Sequence, residues 1–270
     1  MNEDPYGPIP NHAKLRLESG NLVLCMGVRL GRTADIARIA RAAGFDALFV
    51  DMEHSPITTE SASQICTAAL DAGVTPLVRV PGHEHHHAAR VLDCGAMGVI
   101  VPHVDTVDQA RKCVLNCKFP PIGHRSVSGL MPQLGYMGMP ATESTSLLNE
   151  NTLLTVMLET PEAIKNVDAI ASVEGIDQVM IGTNDLCATM GIHGQLDHVD
   201  VINAYQLTAE ACKKNNKHLA IGGISIHNYP ELLQKIVNMG ARFILGGADI
   251  FTLIAACRSD VQAFRKLDIT

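Results

Sequence analysis

Two carboxylates follow apolar runs of this sequence at points where parallel strands would end. Glu159 comes directly after the apolar residues 153–158, and Asp185 follows the run 178–181. If the strands are neighbours, the two like charges lie close together and need a cation or a shared proton. With no thiolate or histidine-rich set beside them, the natural cation is one that prefers oxygen ligands, Mg²⁺ or Mn²⁺. The alternative is that each carboxylate caps the helix that follows it.

Arg79 is a charged residue at the end of another apolar run, residues 76–78. A bare guanidinium there would be expensive to bury without an anion. Its planar fork suits a substrate carboxylate or an oxyanion that develops during a reaction. The alternative is a structural ion pair with Asp51 or Glu53.

His54 is the candidate general base, because imidazole titrates near neutral pH without tuning. It stands just past a strand end, and Asp51 is placed to orient it; the alternative is an ordinary polar contact. The histidine-rich run at residues 83–87 precedes a helix, and its consecutive side chains point in different directions, which favours a solvated helix start over a metal site. His103 and His124 are further candidates for the neighbourhood of the site.

These residues are separated by a regular alternation of short apolar runs and amphipathic stretches. The runs are continuously apolar, which is typical of strands covered on both faces. Many of the stretches between them end at a glycine, as helices do. The predicted strands are residues 22–28, 47–51, 75–80, 98–102, 153–158, 178–181, 218–222 and 242–245. The predicted helices are residues 34–43, 61–72, 88–94, 107–117, 161–173, 205–214 and 230–239.

Eight such units over 270 residues predict a single-domain α/β fold, the (β/α)8 TIM barrel. A doubly wound open sheet is the competing fold, but no GxGxxG motif follows the first strand. Residues 1–10 are predicted to be an N-terminal extension and residues 11–270 the barrel. The weakly periodic segment 119–150 is expected to be a lid or an oligomer contact that helps select the substrate. In a barrel of this kind, the active site lies at the carboxyl ends of the strands, where the residues above fall.

Composition excludes several classes of protein. The apolar fraction of 47% and charged fraction of 18% indicate a globular chain rather than a disordered one. A net charge of -7 argues against nucleic acid or an anionic membrane as partner, and no apolar run approaches the length of a membrane span. The first ten residues do not have the pattern of a signal peptide. Eight cysteines without paired spacing predict packing thiols and a reduced, cytoplasmic location.

Taken together, the motifs resemble those of the HpcH/HpaI aldolases, which are metal-dependent (class II) pyruvate aldolases. The resemblance covers about nine tenths of the chain, in order. The matching segments are DMEH at 51–54, PLVRV at 76–80, VLDCGA at 91–96, PHVDT at 102–106, PPIGHR at 120–125, MLET at 157–160, GID at 175–177 and IGTNDL at 181–186.

The resemblance implies a set of roles. Glu159 and Asp185 would hold Mg²⁺, Mn²⁺ or Co²⁺ together with water and pyruvate, and Arg79 would stabilise the enolate and the aldol oxyanion. His54 would act as the base, with Asp93 or Asp51 tuning it. The family also implies a homotrimer or homohexamer, whose subunits often exchange their last helix.

The pyruvate site departs from the family pattern at two points. The resemblance assigns the pyruvate carboxylate to backbone amides from Gly182 to Asn184. The usual Gln two residues before the metal Glu is Met157 here, which removes a polar contact to substrate. The usual Pro-Ala before the metal Asp is Thr183-Asn184, which offers side-chain donors instead. Both changes concern the substrate, and neither touches the metal or the base.

The predicted function is therefore reversible cleavage of a 4-hydroxy-2-oxo acid to pyruvate and an aldehyde by a metal-dependent lyase. Three alternatives remain at this stage. The same enolate is reached by decarboxylation of oxaloacetate or used for another carbon–carbon bond. A malyl-CoA type of ester lyase also pairs Glu and Asp on a barrel, although the expected basic extension is missing. The last alternative is a non-catalytic barrel that binds a keto acid.

Overall fold

The computed structural model describes residues 7–268 of the chain. Its strands fall where continuous apolar runs predict them, and all eight are confirmed. The β8 strand runs three residues further than predicted. The strands are Val23–Val28 (β1), Ala47–Asp51 (β2), Thr75–Arg79 (β3), Gly98–Val101 (β4), Leu153–Leu158 (β5), Gln178–Gly182 (β6), His218–Gly222 (β7) and Phe243–Ala248 (β8).

The eight strands form a closed parallel barrel in sequence order, in which β8 also pairs with β1. Each neighbouring pair is parallel because a helical connection returns the chain to the same end of the sheet. The predicted fold class, a TIM barrel, is therefore confirmed. The division into an extension over residues 1–10 and a barrel over 11–270 stays a prediction, and residues 1–6 lie outside the described part.

Helices surround the barrel, and their ends follow capping chemistry. Thr106 caps the helix that begins at Val107. Its hydroxyl oxygen accepts from the backbone amide of Gln109, and the side-chain oxygen of Gln109 accepts from the backbone amide of Thr106. No helix within residues 7–268 combines the length and apolarity that crossing a membrane requires. The helices are His12–Glu18 (α1), Asp35–Ala43 (α2), Thr59–Asp71 (α3), His85–Asp93 (α4), Val107–Cys117 (α5), Ala141–Asn151 (α6), Pro161–Lys165 (α7), Val167–Ala171 (α8), Thr183–Thr189 (α9), Val199–Lys214 (α10), Pro230–Met239 (α11) and Asp249–Phe264 (α12).

The apolar core is divided by the barrel wall. The larger cluster lies between the strands and the surrounding helices, and a smaller one fills the inside of the barrel. The inner cluster includes Phe49, Leu77, Met157 and Met180, all of them buried. Because these side chains fill the barrel, its interior is not a channel, and the polar side chains of the site lie above it at the carboxyl ends of the strands.

Helix α1, which the apolar pattern does not predict, closes the amino-terminal end of the barrel. Ala13 and Leu17 on this helix belong to the inner apolar cluster. The Ala13 amide donates to the Thr75 hydroxyl, and Lys14 pairs with Asp177 at 2.7 Å. This plug leaves only the opposite end of the barrel open to a substrate.

The segment 119–150 lies at that same closed end. It connects α5 to β5, and the Gln133 amide group donates to the carbonyls of Leu92 and Ala96, just before β4. Lys118 reaches the carbonyls of Asn149 and Thr152, just before β5. Within one chain the segment is therefore not a lid over the open end of the barrel, whereas an oligomer contact that helps select the substrate stays a prediction. His124 belongs to the same end, so the structure does not bring it to the site.

The last helix, α12, stands away from the core. None of its residues is buried, although it has several large apolar side chains, among them Phe251, Leu253 and Phe264. On β1, the helix leaves Leu24 41% exposed. In a closed barrel the outer faces of the strands are normally covered, so this side of the molecule has a large apolar surface without a cover.

Candidate active site

The open end of the barrel has a polar side and a glycine side. Asp51, Arg79 and Glu159 end or follow strands β2, β3 and β5, whereas glycines occupy the corresponding ends of β6 and β7. The Cα atoms of Asp51 and Arg79 are direct register partners across β2 and β3. The side chains at the strand ends therefore face one another over the inner apolar cluster, with open space on the glycine side.

Arg79 is held by two carboxylates. Its Nε donates to Oδ1 of Asp51 at 3.0 Å and its Nη2 donates to Oδ2 at 2.8 Å, while Nη1 lies 3.0 Å from Oε2 of Glu53. The side chain is 10% exposed, and its Cζ lies 5.2 Å from the centre of the Phe49 ring. The ion-pair alternative from the sequence is thus what the structure shows. Only the two contacts to Asp51 are hydrogen bonds, and the contact to Glu53 is an ion pair, so three of the five guanidinium N–H groups remain for a ligand.

The pKa of Asp51 reflects this pairing. Burial alone would raise the pKa, but the hydrogen bonds and charge of Arg79, with the amides of His54 and Glu53, outweigh burial and lower it. Asp51 is therefore a carboxylate whose negative charge is fixed in place, which in turn fixes the guanidinium of Arg79.

His54 presents a half-exposed ring beside this pair. Its Nε2 lies 3.8 Å from Oε2 of Glu53, and half of its side chain is exposed. Asp51 accepts a hydrogen bond from the backbone amide of His54 at 3.1 Å. Asp51 therefore positions the backbone of the loop that contains His54 and does not contact the imidazole ring through this hydrogen bond.

Glu159 is the most buried carboxylate of the site. Its Oε2 accepts from the amide of His103 at 2.7 Å and lies 3.0 Å from Nδ1 of the same residue. Its Oε1 is buried and has no hydrogen-bond partner within the described residues. Burial raises the pKa of Glu159, and the like charges of Asp185 and Glu53 raise it further, against the lowering effect of His103.

Gly182 makes the position of Glu159 possible. A Cβ atom at residue 182 would lie 2.5 Å from Oε1 of Glu159 and 2.6 Å from its Cγ, closer than such atoms approach. The chain turns directly from β6 into α9 here, which places Asp185 one helical turn above Gly182. The unpartnered oxygen of Glu159 therefore faces the segment that presents the exposed carboxylate of Asp185.

This arrangement fits a divalent cation. A buried carboxylate oxygen without a donor, next to a second carboxylate, is an arrangement that a cation with oxygen ligands stabilises. Within residues 7–268, no group of three or more His, Cys, Asp or Glu side chains is arranged to hold a metal. The protein would thus supply two carboxylates and leave the remaining positions to water and substrate, as is common for Mg²⁺.

The other predicted substrate contacts have mixed outcomes. The hydroxyl of Thr183 is fully buried, donates to the Gly222 carbonyl at 2.7 Å and lies 2.7 Å from the Tyr205 hydroxyl. It is therefore engaged in the fold, and the expectation that this side chain offers a donor to substrate is corrected. Asn184 is exposed, and its Nδ2 donates to the Gly223 carbonyl at 3.2 Å. Met157 lies in the inner apolar cluster below the site.

Comparisons with known proteins agree with this geometry. A family model described as HpcH/HpaI aldolase/citrate lyase matches residues 29–256, which include every one of these site residues. The chain belongs to the HpcH/HpaI aldolase/citrate lyase family. Members of this family use a divalent metal, which agrees with the fit of Glu159 and Asp185.

Individual members of the HpcH/HpaI family match over nearly the whole chain. A 4-hydroxy-4-methyl-2-oxoglutarate aldolase of Chaetomium globosum is 36% identical over 261 residues, 96% of each protein. A 4-hydroxy-2-oxovalerate aldolase of Novosphingobium aromaticivorans is 32% identical over 95% of each. The crystal structure of an HpcH/HpaI aldolase from Desulfitobacterium hafniense superposes with a TM-score of 0.88 at 28% identity, covering 95% of this chain and 97% of that one. The predicted family and the predicted class, a class II aldolase, are confirmed.

One residue transferred from the HpcH/HpaI resemblance lies elsewhere. Asp93 ends α4, and the next strand, β4, begins at Gly98, so Asp93 is at the closed end of the barrel. Its Oδ1 accepts from Nη2 of Arg125 at 2.7 Å. His54 follows the opposite end of β2, so this chain does not bring Asp93 to His54. Within one chain Asp93 forms an ion pair with Arg125, and its role in tuning the base stays a prediction.

The histidine-rich run is what the sequence predicts, the solvated start of a helix. Helix α4 begins at His85, and the side chains of His85 and His86 are exposed. His83 contacts the carbonyl of Pro102 through its Nε2 at 2.6 Å.

Two further charged residues, which the sequence motifs do not indicate as site residues, lie at this end of the barrel. Arg29 follows β1, and its guanidinium donates to the His54 carbonyl from Nε at 3.2 Å and from Nη2 at 2.6 Å. Glu53 was considered only as a partner of Arg79, yet it also lies 3.0 Å from Nε2 of His103. Arg29 directly follows the apolar run of β1, so its position after a strand end is the sequence signal that indicates it.

Proposed function

We propose that this aldolase reversibly cleaves a 4-hydroxy-2-oxo acid to pyruvate and an aldehyde. The observation that supports it most is the buried, unpartnered Oε1 of Glu159 next to Asp185, at the same barrel mouth as Arg79 and His54. The relatives' names share a 2-oxo acid and differ in the other half of the substrate. The shared half is the part that this site is equipped to bind.

Glu159 and Asp185 would hold the divalent cation, for which Mg²⁺, Mn²⁺ and Co²⁺ are the proposed ions. A divalent cation at this place supplies Lewis-acid polarisation of the 2-oxo group. The backbone amides of Gly182, Thr183 and Asn184, between the two carboxylates, are the proposed contacts of the 2-oxo acid's own carboxylate. Met157, which lies below this position, would form the apolar floor.

Arg79 would stabilise the charge that develops on the substrate. When the C3–C4 bond breaks, its electron pair moves into the C2–C3 bond and negative charge collects on the C2 oxygen. The unused N–H groups of Arg79 are oriented before substrate arrives by its two hydrogen bonds to Asp51 and its ion pair with Glu53. A donor that is already oriented stabilises developing charge without reorganisation, which makes it effective in a partly desolvated site.

His54 is the proposed base, and Asp51 the residue that positions its loop. In cleavage, His54 would accept the proton of the C4 hydroxyl, so that C4 becomes the aldehyde carbonyl and C3 the enolate carbon. Return of a proton to C3 then gives pyruvate. The half-exposed ring is accessible to substrate, and the adjacent Glu53 carboxylate would stabilise the protonated imidazolium.

The assembly and the location are also proposals. The exposed apolar residues of α12 and the uncovered face of β1 support burial against a second copy of the chain, in a homotrimer or homohexamer. All eight cysteines are free thiols, and six of them are buried. Free buried thiols support a reducing compartment, hence a cytoplasmic location.

The test of the metal assignment is Glu159→Gln. This variant keeps the side-chain shape and removes the charge, so we expect Mn²⁺ binding measured by titration calorimetry to be lost together with metal-dependent pyruvate release. Glu162→Gln, an exposed change on α7, is the matched control. Unchanged Mn²⁺ affinity in Glu159→Gln would refute the assignment.

A further inference from the structure

Arg29 lies at the barrel mouth but has no role in the reaction described above. It follows β1, and in a ring of eight strands β1 is diametrically opposite β5, which is followed by Glu159. Arg79, after β3, lies between these two positions. A substrate whose 2-oxo acid lies beside Glu159 and Asp185 therefore extends its other half across the mouth toward β1.

The main chain of Arg29 is fixed. The consecutive amides of Arg29, Leu30 and Gly31 all donate to the carboxylate of Asp249, at distances of 2.9, 3.0 and 2.7 Å. This clamp ties the start of the β1–α2 loop to the start of α12. A side chain that extends from a fixed main chain is already oriented before a ligand arrives, which lowers the entropy cost of binding.

The guanidinium of Arg29 is held on one edge and open on the other. Nε and Nη2 donate to the His54 carbonyl, while Nη1 has no partner among residues 7–268. Three of its five N–H groups are therefore unused, and a third of the side chain is exposed. Arg79 differs, because each of its three nitrogens faces a carboxylate.

The charge of Arg29 is only partly offset. Its nearest carboxylate is Asp51, with 3.5 Å between Nε and Oδ2. That carboxylate already accepts two hydrogen bonds from Arg79. The open edge of Arg29 is thus a cationic group that lacks an anion of its own, and a planar carboxylate is the anion that matches its shape.

We infer that Arg29 binds a carboxylate on the half of the substrate remote from the 2-oxo acid, so that this aldolase selects 4-hydroxy-2-oxo diacids. The inference rests on the proposed function and extends it to the charge of the second product, an oxo acid rather than a neutral aldehyde. Arg29 lies outside the metal site, and the metal site alone does not predict a preference for substrates with a remote carboxylate.

A structural role for Arg29 makes a different prediction. Because its guanidinium also holds the His54 carbonyl, its loss would displace the base and slow the cleavage of every substrate alike. Binding of a remote carboxylate instead predicts a loss confined to substrates that have one. The experiment therefore compares two substrates that differ only at that position.

The two probes are 4-hydroxy-2-oxoglutarate, which has a remote carboxylate, and 4-hydroxy-2-oxopentanoate, which has a methyl group in its place. With Mn²⁺ present, we expect the wild-type protein to prefer the diacid in kcat/KM. Arg29→Gln should lower kcat/KM for the diacid about 10- to 100-fold, mainly through KM, as expected for loss of a charged hydrogen bond. The fall for the methyl substrate should be at least tenfold smaller. Arg29→Lys should restore part of the loss.

Arg41→Gln, an exposed arginine in the last turn of α2 at the closed end of the barrel, controls for the change of net charge. An equal fall on both substrates in Arg29→Gln would overturn the inference in favour of the structural role. A wild-type protein that prefers the methyl substrate would overturn it while leaving the proposed function intact. Release of pyruvate from neither probe would refute the proposed function and this inference together.

Discussion

Asp51 and Arg79 are register partners on adjacent strands whose side chains form two parallel hydrogen bonds, Nε to Oδ1 at 3.0 Å and Nη2 to Oδ2 at 2.8 Å. Asp51 also accepts from the amide of His54 at 3.1 Å. One buried carboxylate therefore sets the position of both the proposed oxyanion donor and the loop of the proposed base.

Replacing Arg79 by lysine tests whether the planar pair of guanidinium donors is needed for activity. Lysine keeps the charge but has no planar pair of donors, so it satisfies Asp51 or a substrate oxygen and not both. We expect kcat/KM for pyruvate release to fall at least about 100-fold, the size of an oxyanion-donor deletion. Arg41→Lys is the control. Full activity of Arg79→Lys would show that the guanidinium only supports the fold.

Asp51→Asn tests the buried ion pair through its pH dependence. The pKa of Asp51 is lowered in the folded protein, so its contribution to stability is fully present above the unfolded pKa, near 3.9, and is lost as pH falls through the folded value. At pH 7 we expect the variant to lose about 3 kcal/mol in free energy of unfolding, as for a buried pair that loses one partner.

The measurement is urea unfolding of both proteins between pH 7 and pH 4. The difference in free energy of unfolding should stay constant down to about pH 5 and begin to narrow below it. A difference that widens as pH falls would contradict the lowered pKa. Asp168→Asn, an exposed carboxylate that pairs with Lys214, is the matched control and should change stability little.

Gly182→Ala tests whether the missing side chain at residue 182 allows Glu159 to take its position as a metal ligand. The added methyl group would lie 2.5 Å from Oε1 of Glu159, so the carboxylate must move away from Asp185. We expect Mn²⁺ affinity to fall at least about tenfold and stability to fall by about 1–3 kcal/mol from overpacking. Gly129→Ala, where a Cβ meets nothing within 4 Å, is the control. Unaltered Mn²⁺ affinity in Gly182→Ala would contradict the placement of the metal ligands.

Charged substitutions on α12 test whether this helix lies in the interface between subunits. Leu253→Glu with Val261→Glu places charges on a helix whose apolar side chains are about half exposed in one chain. If a second copy covers that helix, the double variant should shift to a smaller mass in light scattering. Gln262→Glu, an exposed polar position on the same helix, should leave the mass unchanged. An unchanged mass in the double variant would exclude the helix from the interface.

The sequence predicted the barrel well because its strands are continuous apolar runs, which few other folds require. It also predicted that Glu159 and Asp185 lie at the barrel mouth, because the carboxyl ends of parallel strands converge. The helix α1 was missed because it is short and plugs the barrel instead of joining two strands. Helix α12 was missed because no strand follows it.

Parts of the site depend on features that strand ends do not encode. Asp93 lies in a recognisable motif, but within one chain it ends a helix at the closed end of the barrel, so its role in tuning the base stays a prediction. The hydroxyl of Thr183 turns inward to Tyr205, a contact between residues 22 positions apart that no local pattern reveals. The orphaned oxygen of Glu159 is likewise a property of packing, since it depends on the missing side chain at Gly182.

Pyruvate release with and without metal tests the central claim most directly. The protein is stripped with EDTA and assayed on 4-hydroxy-2-oxo acids and on oxaloacetate, before and after Mn²⁺ is restored. We expect pyruvate from a 4-hydroxy-2-oxo acid only when Mn²⁺ is present, and none from Glu159→Gln. Equal release by the stripped and restored proteins would contradict the proposed function, as would turnover of oxaloacetate alone.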